Sequence, residues 1–215
     1  MNVHFVSAAA VGLGVVVAMA LAAPSFNLRG DRFKPLTYEE MTPQQKTMID
    51  HLLAGERRGS TDGPFNVFLR SPEMGDVAQQ LGAQIRFHTS LPRKLNELAI
   101  ITTARYWGAQ FEWTAHSRAA AQAGVSAAVI DAIANGKQPA GLQPDEEAVY
   151  NFCHELLNTK QVSDATFKAT VAAVGERGAV DLIGAMGYYS LVSMALNVDR
   201  YPLANGAKPD LKPLP

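Results

Sequence analysis

The chain has 215 residues, 47% of them hydrophobic, enough for one packed domain with short appendages. Its 19 basic and 20 acidic residues leave a formal net charge of −1 with no basic block, which argues against nucleic acid as a partner. Cys153 is the only cysteine, so an intramolecular disulfide is excluded.

From Phe5 to Ala23 no side chain is charged, and Ala20-Leu21-Ala22 precedes Ala23-Pro24 in the manner of a signal-peptidase site. A cleaved signal and an exported or periplasmic protein are expected. The run is nearly long enough to span a bilayer, so a retained anchor is the alternative, with a misplaced start codon as a third reading. Only in the anchored case would a membrane be a partner. Residues 1–23 are therefore set apart from the fold, and 24–40 read as an arm, polar from Arg29 to Leu36.

Helix punctuation fills 41–203. Thr42-Pro43-Gln44-Gln45 supplies an N-cap, a proline at N1 and a capping-box glutamine, and Met48, Ile49, Leu52 and Leu53 follow at helical spacing up to Gly55. Ser71-Pro72 opens a second helix, with Val77, Leu81, Ile85 and Phe87 as its apolar positions. Ser90-Leu91-Pro92 opens a third, carrying Leu95, Leu98, Ile101 and Thr102. Another lies around Glu112 and closes at Gly124. Ser126 can cap a short helix ending near Gly136, and Pro144 opens one bearing Val149, Phe152, Leu156 and Leu157. Ser163 precedes one more, and a last long helix is expected from about Arg177 to Asn197. Strand signals are nearly absent. The fold class is all-α, a single-domain bundle of about seven or eight helices with short loops. The Pro-rich tail, 204–215, shows no core face and is expected to wrap a neighbour or stay loose.

Glu112 and His116 lie four apart and share a helix face. A carboxylate beside an imidazole can orient the ring or favour its cationic form; an exposed i,i+4 ion pair is the plainer alternative. Glu97 stands in the otherwise apolar "LNELAIITTARYWG", either solvated, paired with Lys94 or Arg93, or part of the same site. On one straight helix Glu97 and Glu112 would be about 22 Å apart. A shared site therefore needs a chain break or a second subunit between them, and Gly108 is a plausible break. Cys153 reads as a small buried hydrophobe rather than a reactive thiol. His88 and His154 read as surface or satisfied histidines. Trp113 reads as core or pocket lining, and its neighbours favour the pocket.

Glu97, eleven residues, then "AQFEWTAH" resembles the carboxymuconolactone decarboxylase family, which includes the alkyl hydroperoxidase D-like proteins. In the peroxidase branch the pattern is glutamate, eleven residues, Cys-x-x-Cys, three residues, histidine. Ala109 and Glu112 stand at the two cysteine positions, and His116 keeps the histidine position. "GPFNVFLRSPEM", "RFHTSLPRKLNELAI" and "GYYSLVSMALN" resemble flanking stretches of the branch with Glu-Trp in place of Cys-x-x-Cys, so that the likeness runs roughly from Thr42 to Leu203.

The resemblance implies Glu97, Glu112 and His116 as catalytic residues, and Phe65, Trp113 and Tyr189 as substrate-binding ones. It implies a homo-oligomer, trimer or hexamer, with a small-molecule substrate and neither cofactor nor metal. The expected function is a cofactor-free, decarboxylase-like lyase or an isomerase of a small lactone, enol or aromatic-derived acid, with His116, made cationic by Glu112, as proton donor. A hydroperoxidase-type antioxidant is one alternative, though it lacks the thiol pair that chemistry needs. A non-catalytic, oligomeric ligand-binding member of the family is the other.

Overall fold

The computed structural model describes residues 26–57, 59–203 and 206–212. The expected signal or anchor segment lies outside them. Among the described residues there are eight helices and no strand: α1 (Pro43–Ala54), α2 (Phe65–Phe68), α3 (Pro72–Phe87), α4 (Arg93–Tyr106), α5 (Gln110–Ala123), α6 (Ala127–Ala134), α7 (Pro144–Thr159) and α8 (Asp164–Asp199).

The caps follow the sequence. Thr42 and Gln45 form the reciprocal capping box of α1, and the Ser126 and Ser163 hydroxyls accept from Val129 N–H and Thr166 N–H at the starts of α6 and α8. Two expected helices after Ser163 are joined as α8, but Gly175 (φ 73°, ψ 171°) interrupts the helical backbone where the second was expected to begin.

α4 is the central element. It packs against α5, α6, α7 and α8, and its residues from Leu95 to Arg105 are all buried. Two apolar clusters flank it. One joins α1, α2, α3 and the C-terminal half of α8 through Met48, Phe65, Phe68, Ile85, Tyr188 and Val192. The other joins α4 to α7 through Leu98, Ile101, Trp113, Val129, Val149 and Phe152.

Two expectations are corrected, on the α3 face and on the tail. Of the apolar positions read for α3, only Ile85 is buried; Val77 is 67% exposed and Leu81 and Phe87 are also exposed. The inward face is built instead of Gly75, Ala78, Gln79, Gly82 and Ile85, small enough to bring α3 close to α1 and α8. The polar arm is pinned, since the Asp199 carboxylate accepts from the backbone N–H of Asp31 and Phe33, and Arg29 pairs with Asp62 at 2.8 Å. The tail does have a core residue. Leu211 is buried in the second cluster, and the Gln110 amide donates to its carbonyl (2.9 Å) and accepts from its N–H (3.0 Å).

Candidate functional site

The site begins at the turn between α4 and α5. Gly108 adopts φ +60°, its N–H reaches Arg105 C=O at 3.0 Å, and Ala109 N–H reaches Ala104 C=O at 3.0 Å. This is the Schellman arrangement, in which a left-handed residue closes a helix and satisfies its last carbonyls. Glycine takes that conformation without the penalty of a Cβ. The chain reverses here, and α5 returns along α4.

The reversal brings Glu97 and His116 together. Glu97 Oε2 lies 2.7 Å from His116 Nδ1, and Glu112 Oε2 lies 3.4 Å from His116 Nε2. All three residues are buried, at 6%, 4% and 5% exposure for Glu97, Glu112 and His116. The surface-pair reading of Glu112 and His116 is therefore set aside. Glu97 does not pair with Lys94, which instead meets Glu146 at 2.7 Å.

The two carboxylates differ. Glu97 makes the short contact and so fixes the ring; when Nδ1 carries the hydrogen it donates to Glu97, leaving Nε2 directed at Glu112. Burial pushes the Glu112 carboxyl above its ordinary range, and nearby Glu97 adds to the rise, while the charges of His116, Arg86 and Arg57 oppose it. A protonated Glu112 can donate to Nε2, so the pair shares a proton that either can hold. Glu97 is the closer partner of the ring, and burial inclines Glu112 to hold a proton.

His116 and Glu112 line a cavity of about 190 Å³. Phe65 and Tyr189 line it too, and the Tyr189 ring meets the imidazole edge-on, with centroids 4.9 Å apart. Burial raises the Tyr189 hydroxyl well above 10, so it remains an O–H donor. Trp113 is the exception among the expected lining residues: it is buried in the second apolar cluster and does not line the cavity. The reason is rotation. One residue beyond Glu112 is about 100° around the helix, away from the face that Glu112 and His116 share.

Residues distant in sequence complete the wall. Arg57 follows α1, Arg86 ends α3 and Tyr188 precedes Tyr189 on α8. Arg57 donates to the Tyr188 hydroxyl at 3.5 Å, its guanidinium lies 5.1 Å from the Phe65 ring centroid, and its buried Nε has no hydrogen-bond partner among the described residues. Both arginines also line an adjoining cavity of about 520 Å³, so the positive side chains stand where the inner pocket widens. Cys153 takes no part. It is buried in the second cluster, where desolvation pushes its thiol up to about 12.

Fold and site together define an all-α protein with a buried carboxylate–imidazole–carboxylate centre at the base of an arginine-rimmed pocket. Residues 72–155, which hold Glu97, Glu112 and His116, match the model of the carboxymuconolactone decarboxylase family. No curated protein matches the chain. The fold is similar to the crystal structure of a protein of unknown function from Agrobacterium tumefaciens, suggested to be an antioxidant defence protein, AhpD. That likeness has a TM-score of 0.55 at 16% identity and covers 65% of this chain and 96% of the other.

Proposed function

We propose that the chain is an acid–base enzyme that moves a proton to or from carbon in a small anionic substrate: a decarboxylase-like lyase, or an isomerase, acting on a lactone or an enolisable carboxylic acid. The observation that carries this reading is His116 held between two buried carboxylates, Glu97 at 2.7 Å and Glu112 at 3.4 Å, on the wall of a pocket. Loss of carbon dioxide from a γ-carboxy butenolide breaks one C–C bond and leaves its electron pair delocalised onto the lactone carbonyl as an extended enolate. The same catalyst must stabilise that charge and then deliver one proton to carbon. Glu97 keeps the ring in place, the proton shared by Glu112 and His116 is the one delivered, and solvent returns it after product leaves. The Tyr189 hydroxyl, on a ring that meets the imidazole edge-on, is a neutral donor in this pocket. Arg57 and Arg86 suit the substrate's carboxylate, since guanidinium pairs with carboxylate through two parallel N–H donors.

An antioxidant role of the kind suggested for the Agrobacterium protein is the less favoured reading. It would need an accessible thiolate, and Cys153 is buried with its thiol raised. The deciding assay is a panel of lactones and enolisable acids with purified protein and with His116→Ala. Turnover should fall by about 10²–10⁴-fold in the variant, the range for a lost acid–base group. Binding of a panel member with no turnover in the wild type would instead support a non-catalytic ligand-binding protein. Undiminished turnover in His116→Ala would refute the mechanism.

A further inference from the structure

α4 carries a second ionisable side chain that the proposed reaction does not use. Arg105 lies eight residues beyond Glu97, about 12 Å farther along the helix. It is only 6% exposed, and among the described residues its buried Nε has no hydrogen-bond partner and its side chain forms no ion pair. A guanidinium keeps its charge in nearly any environment, so burying one without a counter-charge is costly. The cost shows as desolvation drawing the Arg105 guanidinium below its ordinary range.

Arg105 lines a cavity of about 140 Å³ between α4, α6 and α7, which shares no residue with the pocket at His116. Lys137 comes from the exit of α6 and His154 from α7, so three cationic or potentially cationic side chains line this space and no carboxylate does. The Tyr150 ring stacks on His154 at 5.7 Å, and burial holds its hydroxyl protonated, a further donor. Tyr106 and Ile133 give the cavity an apolar side. The rim is cationic as well: Lys160 donates to the Tyr106 hydroxyl at 3.1 Å.

We propose that this cavity is a second ligand site, taking a small oxyanion, carboxylate or phosphate, on Arg105 with Lys137 and Tyr150 as further donors. The ligand supplies the missing counter-charge, and its volume limits it to an inorganic anion or a compact organic acid.

The test is thermal melting of the purified full-length protein against inorganic phosphate, acetate and benzoate, with ionic strength held constant by sodium chloride. An anion at about four to five times its Kd should raise Tm by roughly 2–4 °C in a domain of this size, and more at higher concentration. The more effective anion identifies the ligand class. The shift should survive in Arg86→Gln, which weakens the other pocket, and vanish in Arg105→Met, which also subtracts any general salt effect. In buffer without these anions, Arg105→Met should melt no lower than the wild type, since methionine keeps the stem's packing and removes an uncompensated charge. An unchanged shift in Arg105→Met would overturn the proposal, as would no shift in the wild type with any of the three. A marked loss of stability in Arg105→Met without anion would overturn it too, because Arg105 would then already have a partner.

Discussion

Glu112 is the residue on which sequence and structure disagree most usefully. Its spacing from His116 announces a pair, but which group orients and which carries the proton depends on burial, and periodicity does not reveal depth. Desolvation raises the Glu112 carboxyl above its ordinary 4.5. Folding therefore favours its protonated form. The stabilising contribution is fully present below the ordinary value and is lost as pH rises through the raised one. Glu112→Gln cannot ionise, so its stability relative to the wild type should improve as pH rises above about 4.5 through the raised value and then level off. Urea denaturation of both proteins at a series of pH values measures this; a constant difference across the range would mean that Glu112 is ionised at no extra cost. The same substitution should slow turnover, because glutamine has no proton to share with Nε2. Arg57 and Arg86 were missed at the sequence level for a plain reason. Arginines on two separate elements carry no spacing signal, and only their common wall with Phe65 gives them meaning.

Among the elements, α3 shows why large side chains mislead. Reading Val77, Leu81, Ile85 and Phe87 as the core face assumes that apolar bulk points inward, yet three of the four are exposed. What α3 turns inward is small, and Gly82 is the tightest point. A Cβ there would come within 2.2 Å of the Tyr188 hydroxyl and 2.7 Å of Arg57 Nη2, both at the pocket. Gly82→Ala should therefore cost about 1–3 kcal/mol of stability from overpacking, and should lower turnover by moving Tyr188 and Arg57. Gly187→Ala on α8, where a Cβ meets nothing within 4 Å, is the control and should be neutral or slightly stabilising. Equal melting temperatures for the two variants would show that α3 can shift without disturbing the pocket. The turn at Gly108, by contrast, was readable. Straight-helix geometry forbids Glu97 and Glu112 from meeting, so a break had to exist, and a glycine stood at the only suitable place between them. The tail was not readable, because two leucines, Leu211 and Leu214, among prolines and lysines make no sustained period. Leu211 is fixed by the two hydrogen bonds from the Gln110 side chain, a partner 101 positions away.

At the scale of the whole molecule, the exposed apolar side chains are the unfinished part of the fold. Val77 and Leu81 on α3, and Val180, Ile183, Met194 and Val198 on α8, are each at least 42% exposed. On α8 these four fall three, eleven and four residues apart, so they recur on a helical period along one side of a helix whose other side fills both apolar clusters. α8 is also the one helix among the described residues long and apolar enough to cross a membrane, but half of its apolar window is buried within the fold, as suits a core helix. Leaving such a stripe in water forgoes the gain of burying it, and scattered single residues would not be periodic. A second copy of the chain is the simplest cover, because a symmetric contact uses the same stripe on both sides. The protein should therefore behave as a homo-oligomer in solution, and Ile183→Asp with Val180→Asp should shift it to a smaller species while leaving the Glu97–His116 pair, which is internal to one chain, in place. Multi-angle light scattering at micromolar concentration decides this. A monomer mass for the wild type would refute it, and an unchanged oligomer in the double variant would move the interface away from the first part of the α8 stripe.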